Sequence, residues 1–466
     1  MDGKESNLML NRRQVLVGGM VAGASLVGLK SLMARTELGA TELSREAAQA
    51  KGGYGPLTKK RSKNTGDLIL SLPEGFEYTV FGRTGDKMSD GRATPGLHDG
   101  MAAFQVGDEI RLVRNHEVRS QPGTSIAPAD VSYDPTAGGG TTTLVVDPKT
   151  RELVRDWVSL SGTLVNCAGG PTPWGSWITC EETVAGQNVG QVYHKDDRKV
   201  GGYQKPHGYC FDVPADSDGP VKPVALHEMG RFVHEAIAID PKTGIVYETE
   251  DEGQAGFYRF IPNEKGNMAK GGKLQMMRVV GKDRFDTRTD QKVLKPMKVE
   301  WVDIKNPDPS DAGTVKQPVF NEGLGNGCAT FARLEGCWYG DGYIYLNSTN
   351  GGDKKLGQIW RYEPLPDGNG ELVLLYESKS VQELDAPDNI CVSPRGGLVI
   401  CEDGDGQNKL RGLTRDGKIF EFAANEMNDS ELAGSCFSPD GKTLFVNIQS
   451  PGLTLAIWGP WEKGAL

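Results

Sequence analysis

A chain of 466 residues is long enough for two to four ordinary domains or one large repeat architecture. With 62 glycines, 26 prolines and 37 % hydrophobic residues it reads as a turn-rich globular protein with material for a sizeable core. The formal net charge of −10 and the lack of any basic cluster exclude nucleic acid as a stable partner, because nothing is arranged to neutralise a run of phosphates.

In chain order, the first legible element is a targeting signal. Asn11-Arg12-Arg13-Gln14 sets paired arginines directly before an apolar, glycine-rich run from Val15 to Leu29. That run is shorter than the ~20 residues a spanning helix needs, and it reads as the apolar part of a twin-arginine (Tat) signal. No cysteine precedes Cys167, so a lipoprotein anchor at this signal is excluded; Ala34 is a weak candidate for cleavage. Residues 1–35 are expected to be read by the Tat export machinery and 36–65 to form a linker. The protein is then periplasmic or extracellular, with no stable membrane anchor apart from the signal.

From residue 66 onward, short β-branched and aromatic runs alternate with Gly, Pro, Asp and Asn, the pattern of strands and turns. A unit of strand, turn, strand and acidic end recurs. Its copies begin at HDGMAAF (98–104), NCAGGPTPWGSWITCEE (166–182), HEAIAID (234–240), RLEGCWYG (333–340), PDNICVSP (387–394) and GSCFSPDG (434–441). The spacing is regular. Cys167 and Glu182, Glu235 and Glu250, Glu335 and Asn350, and Asp388 and Asp403 each stand fifteen apart, while Asp99 and Asn115 stand sixteen apart. In a hairpin the second strand returns beside the first, so each unit's start and end share one edge. Six such hairpins predict an all-β, six-bladed β-propeller over 66–466, with an insertion around 252–332. The last strand, Leu453 to Trp458, is expected to close the ring against the first blade. A pair of packed sheets would not produce this register.

The register places Asp99, Asn115, Cys167, Glu181, Glu182, Glu235, Glu250, Asp251, Glu335, Asp388, Glu402 and Asp403 at one mouth of the channel. Carboxylates crowded this closely repel one another unless cations neutralise them. Hard oxygen ligands select calcium, magnesium or ferric iron over zinc, and the Cys167 thiolate suits iron. The other cysteines lie in apolar runs, as small buried side chains do. No Cys-x-x-Cys pair, nucleophile elbow, His-Glu-x-x-His or phosphate-binding loop occurs. His98, His116 and His234 are expected to make structural hydrogen bonds.

At this point the residues resemble the PhoX-type alkaline phosphatases. The resemblance is carried by HDGMAAF, RNHE (114–117), the Cys-Ala-Gly-Gly…Trp-Gly…Cys-Glu-Glu stretch, RFVHEA (231–236), YRFIP (258–262), FARLEG (331–336), PDN and EDG (387–404), and WGPWEKG near the end. It implies a phosphomonoesterase with an Fe3+ and Ca2+ cluster at the propeller mouth, acting on small-molecule phosphate esters. By motif, Cys167 corresponds to an iron ligand and Glu235 to a carboxylate shared between metals. Glu182 with Glu181, Glu335, Asp388, Asp403 and Asn115 correspond to further ligands. Arg333, two residues before Glu335 on the same strand, corresponds to the arginine that grips phosphate. Cations would also resolve how an acidic chain attracts an anionic ester. The competing readings are a calcium-dependent lactonase and a non-catalytic ligand-binding propeller.

Overall fold

The computed structural model describes residues 52–119, 122–187, 192–193, 198–199 and 202–466. The twin arginines Arg12 and Arg13, and Ala34, lie outside the described residues. Among the described residues the chain is almost entirely β, with one α-helix of eight residues, Pro318–Gly325.

The repeated hairpins form as the spacing requires. Val246–Glu250 (VYETE) and Leu398–Glu402 (LVICE) are buried along their whole length, because sheets pack on both of their faces. Each fully buried Leu or Ile contributes roughly 2 kcal/mol of apolar burial. The turns follow local chemistry: the Asp240 carboxylate accepts from the Lys242 backbone N–H and the Thr243 hydroxyl, closing the turn before Val246.

Six strands open these hairpins: His98–Val106, Asn166–Pro171, His234–Ile239, Leu334–Gly340, Pro387–Val392 and Leu432–Phe437. Each touches the next and the last touches the first, so they ring a central axis. Their backbones approach closely. A Cβ on Gly434 would stand 2.3 Å from the Asp99 carbonyl oxygen, and Gly434 also holds φ at +61°. Trp338 packs against several core clusters and plugs the axis below the mouth.

The sheets correct the expected six equal blades. His98–Thr163 and Leu432–Trp458 give four-stranded sheets, the latter completed by Glu77–Phe81. The second unit is three-stranded. Pro387–Asn425 becomes a six-stranded sheet by adding Leu68–Leu72 and Thr58–Arg61. The third and fourth units merge into one nine-stranded sheet. Met297–Asp303, inside the stretch expected as an insertion, causes the merger by pairing with both Gly272–Val279 and Gly370–Glu377. What stands is an all-β, propeller-like molecule. Leu453–Trp458 does pair with an N-terminal strand, Glu77–Phe81, but in the last unit's sheet and not the first's. Thr58–Arg61 belongs to the stretch expected as a linker, and Tyr54 beside it is buried against Phe76 and Trp461.

Candidate metal centre

Each hairpin-opening strand breaks register at the same point. The breaks fall between His98 and Met101, Asn166 and Gly169, His234 and Ile237, Leu334 and Cys337, Pro387 and Ile390, and Ala433 and Cys436. In every case one extra residue stands on the inner strand, the signature of a β-bulge, which re-aims side chains. The first residue inside each bulge is Asp99, Cys167, Glu235, Glu335, Asp388 and, in the sixth unit, Gly434. Five of the six bulges therefore carry a metal-type ligand.

These side chains meet. The ligand atoms of Cys167, Glu182 and Glu235 all lie within 4.8 Å of one another, and the same holds for Glu235, Glu335 and Asp388. Asp388, Asp403 and Glu431 form a third such group, and Asp99, Glu117 and Glu431 a fourth. Glu235, Asp388 and Glu431 each belong to two groups, which links eight carboxylates and one thiol into a single band. Glu235 is buried, and its Oε2 has no hydrogen-bond partner. Burial first, and then the neighbouring carboxylates, push Glu235, Glu182, Asp99 and Glu431 well above the usual carboxyl range. Burial beside Glu235 and Glu182 likewise raises the Cys167 thiol. Bound cations remove that repulsion, and the donor set suits them: oxygen-only groups for a hard ion, one thiolate-bearing group for iron.

Two arginines border the band. Arg333 donates from Nε to Asp251 Oδ1 at 2.8 Å and from a terminal nitrogen to Asp251 Oδ2 at 3.1 Å, and it also bonds Glu335. It does not reach Glu335 by strand alternation, as the sequence suggested. It precedes the strand Leu334–Gly340 and holds a left-handed φ of +43°. That backbone is fixed by the Arg333 N–H donating to Glu252 O and by Arg333 O accepting from Thr349 N–H. Arg119 bonds Glu117 and Glu182, tying the first unit to the second. The arginine side chains remain 17 % (Arg333) and 31 % (Arg119) exposed, whereas their carboxylate partners are buried.

Two expected ligands fall elsewhere. The Asn115 side chain donates to the carbonyls of Cys167 and Ala168 and accepts from Trp177 Nε1, so it is spent on fixing the inner strands. Glu181 accepts from the backbone N–H groups of Leu164, Gly208 and Tyr209 and pairs with His207. A rule emerges from the acidic pairs. Glu250 turns back onto Gly256 N–H and the Tyr258 hydroxyl, and Glu402 onto Arg411, so the first member braces its own sheet. The second member, Glu182, Asp251 or Asp403, faces the band or its arginine. By that rule the first unit offers Glu117, next to His116, which pairs with His98. Asn115 was the wrong choice because the first hairpin is longer: His98–Val106 has nine residues against six in Asn166–Pro171. Glu431 lies just before its strand, outside any hairpin register, and occupies the place that Gly434 leaves without a side chain. Arg119 had a sequence signal too, a base two residues beyond an acidic mouth residue. His98, His116 and His234 make the structural hydrogen bonds expected of them, to Pro95 O, to Gly96 O with Thr142, and to Gly230 O.

The Glu181–His207 pair yields a stability prediction. Burial pulls the imidazole pKa down, but Glu181 at 2.6 Å and Asp134 at 3.6 Å more than offset it and raise it to about 9. A raised folded-state pKa contributes stability that is complete below the unfolded value and lost as pH rises through about 9. Stability against thermal unfolding should therefore fall between pH 7 and 10 by on the order of 3 kcal/mol, and His207→Gln should flatten that slope. An unchanged slope in His207→Gln would remove this pair as its cause.

The family model described as alkaline phosphatase PhoX matches residues 52–452. Among solved structures, PhoX from Pseudomonas fluorescens in complex with vanadate, a transition state analogue, superposes with a TM-score of 0.66 at 19 % identity. The match covers 88 % of this chain and 98 % of that one. A gluconolactonase from Xanthomonas campestris gives a TM-score of 0.43 at 10 % identity, over 87 % of this chain and 98 % of that one. No curated protein matches by sequence.

Proposed function

The chain belongs to the PhoX alkaline phosphatase family, and we propose that it is an exported phosphomonoesterase releasing inorganic phosphate from small-molecule phosphate esters with bound iron and calcium. The observation that carries this reading is the layering of the site: two partly exposed guanidinium groups stand over a band of buried and half-buried carboxylates. Cys167, Glu182 and Glu235 would hold ferric iron, and the groups built on Glu335, Asp388, Asp403, Glu431, Asp99 and Glu117 would hold calcium. Bound there, the ions would neutralise the phosphate oxygens and activate the attacking water.

The chain's own residues do the rest. Arg333 is held by Asp251 with its fork toward Glu335, so a phosphate arriving at the band meets a planar, preorganised donor. Arg119 offers a second donor from the opposite group. Burial of Glu182 and Glu235 keeps bulk water from competing for the ester oxygens. No side-chain nucleophile is required, which agrees with the lack of a nucleophile motif in the sequence. The family match leaves the lactonase and the non-catalytic readings without support. The deciding experiment pairs metal analysis of the purified protein with release of phosphate from p-nitrophenyl phosphate. Iron with calcium, and turnover that disappears on chelation and returns with the metals, is expected. Phosphate release that survives complete metal removal would overturn the proposal.

Export forms part of the same proposal. The reading rests on Arg12 and Arg13 before the apolar run, and the Tat machinery would deliver the folded protein to the periplasm or beyond. Among the described residues no helix is long and apolar enough to cross a membrane. The double variant Arg12→Lys, Arg13→Lys should accumulate in the cytoplasm. Undiminished periplasmic delivery of that variant would sink the export reading.

A further inference from the structure

Behind the carboxylate band lies a second group of ligand-type side chains, between the sheet of Cys210–Pro214 and that of His234–Ile239. Cys210, His234 and Glu248 bring ligand atoms within 4.8 Å of one another, and all three are fully buried. Cys180, paired across the strands from Cys210, places its Sγ 3.6 Å from the Cys210 Sγ. None of these four contributes to the band or to its arginines. They lie too far apart in sequence, at 180, 210, 234 and 248, to form any spacing motif.

Both carboxylate oxygens of Glu248 lack a hydrogen-bond partner although the residue is completely buried. An unpaired buried carboxylate is costly, and native structures rarely keep one without a cation or a proton donor. The histidine is set up to face it. His234 Nε2 lies 3.0 Å from Gly230 O, so that nitrogen carries the hydrogen and donates it to the carbonyl. Nδ1 is left with its lone pair toward Cys210 and Glu248. Phe232 stacks on the imidazole at 3.6 Å and fixes the ring plane. A ring nitrogen donating to a backbone carbonyl while the other faces a ligand cluster is the usual support of a metal-bound histidine.

The distances fit a small tetrahedral ion. Zinc bond lengths of about 2.3 Å to sulfur and about 2.0–2.1 Å to nitrogen or oxygen place ligand atoms about 3.6 Å apart for S···N, 3.4 Å for N···O and 3.8 Å for S···S. Cys210 Sγ lies 3.5 Å from His234 Nδ1, His234 Nδ1 3.5 Å from Glu248 Oε2, and the two sulfurs 3.6 Å apart. We propose that Cys210, His234 and Glu248, with Cys180 as the fourth ligand position, form a structural zinc site that pins the strand presenting Glu235 to the band.

The test uses the full-length mature protein, dialysed against EDTA and analysed for zinc. About one zinc per chain should remain, should be lost in Glu248→Gln and in Cys210→Ser, and should persist in Cys167→Ser. Glu248→Gln keeps the side-chain shape, so its folding can be verified by thermal unfolding alongside the metal analysis. In cobalt-grown Cys167→Ser protein, a thiolate-to-cobalt absorption band should appear, and adding Cys210→Ser should abolish it. Three outcomes would overturn the site: wild-type protein without tightly held zinc, zinc retained in folded Glu248→Gln, or a Cys180–Cys210 disulfide in the unreduced peptide map.

Discussion

Glu235→Gln is expected to lower kcat/KM for a phosphomonoester by ~1,000-fold or more, equivalent to at least ~4 kcal/mol of transition-state stabilisation. Glu235 belongs to both the Cys167–Glu182 group and the Glu335–Asp388 group, so one carboxylate serves two prospective ions. Its Oε2 is buried without a protein partner, as an oxygen kept for a bound cation would be. Glutamine keeps the volume and the bulge but removes the charge and makes half of the side chain a donor, which would point at a metal. Iron and calcium content should fall together with turnover. Glu181→Gln supplies the contrast. Glu181 is the chain neighbour of the band residue Glu182 but is turned toward His207 and three backbone N–H groups, so its loss should lower thermal stability and leave metal content intact. If Glu235→Gln retained both ions and near-normal turnover, the shared-ligand role would be wrong; metal loss in Glu181→Gln would reverse the division of the acidic pair.

The sequence carried the repeat and most of the band because both depend on one physical regularity. A hairpin of fixed length brings its start and end to one edge, and burial forces strand pairing to obey that length. Cys167, Glu182, Glu235, Glu335, Asp388 and Asp403 could thus be found by counting, and all six meet in the structure. Counting failed where the length changed or the ligand left the hairpin. The longer first hairpin moved the mouth position from Asn115 to Glu117, and Glu431 approaches from a loop. The bulges were invisible, since an extra residue on one strand has no compositional mark, yet they aim the ligands. Sheet boundaries were also illegible: Met297–Asp303 reads as any exposed-edge strand, and only its two partners show that it merges two units. The buried Cys210–His234–Glu248 group lies beyond sequence reasoning for the same reason, because neighbouring sheets supply its members.

Arg333→Lys should separate phosphate recognition from metal binding. Lysine keeps the positive charge beside Asp251 and Glu335, and it meets the left-handed backbone at φ +43° at the same steric cost as arginine, so the local fold should hold. What it loses is the planar fork. Asp251 now takes two nitrogens of the guanidinium and orients the plane, and an ammonium cannot be oriented that way. Metal content should survive while kcat/KM falls by ~10- to 1,000-fold, or ~1.4–4 kcal/mol, and inhibition by free phosphate should weaken in parallel. Asp251→Asn tests the orienting contact from the other side: the guanidinium remains, but one charged partner is gone, and a smaller loss in the same direction is expected. Arg119→Lys should weaken phosphate inhibition as well, since Arg119 stands over Glu182 at the other edge of the band. A fully metal-loaded Arg333→Lys protein with wild-type turnover and wild-type phosphate inhibition would show that this arginine only balances the charge of Asp251 and Glu335, and would leave Arg119 as the phosphate-binding group of the site.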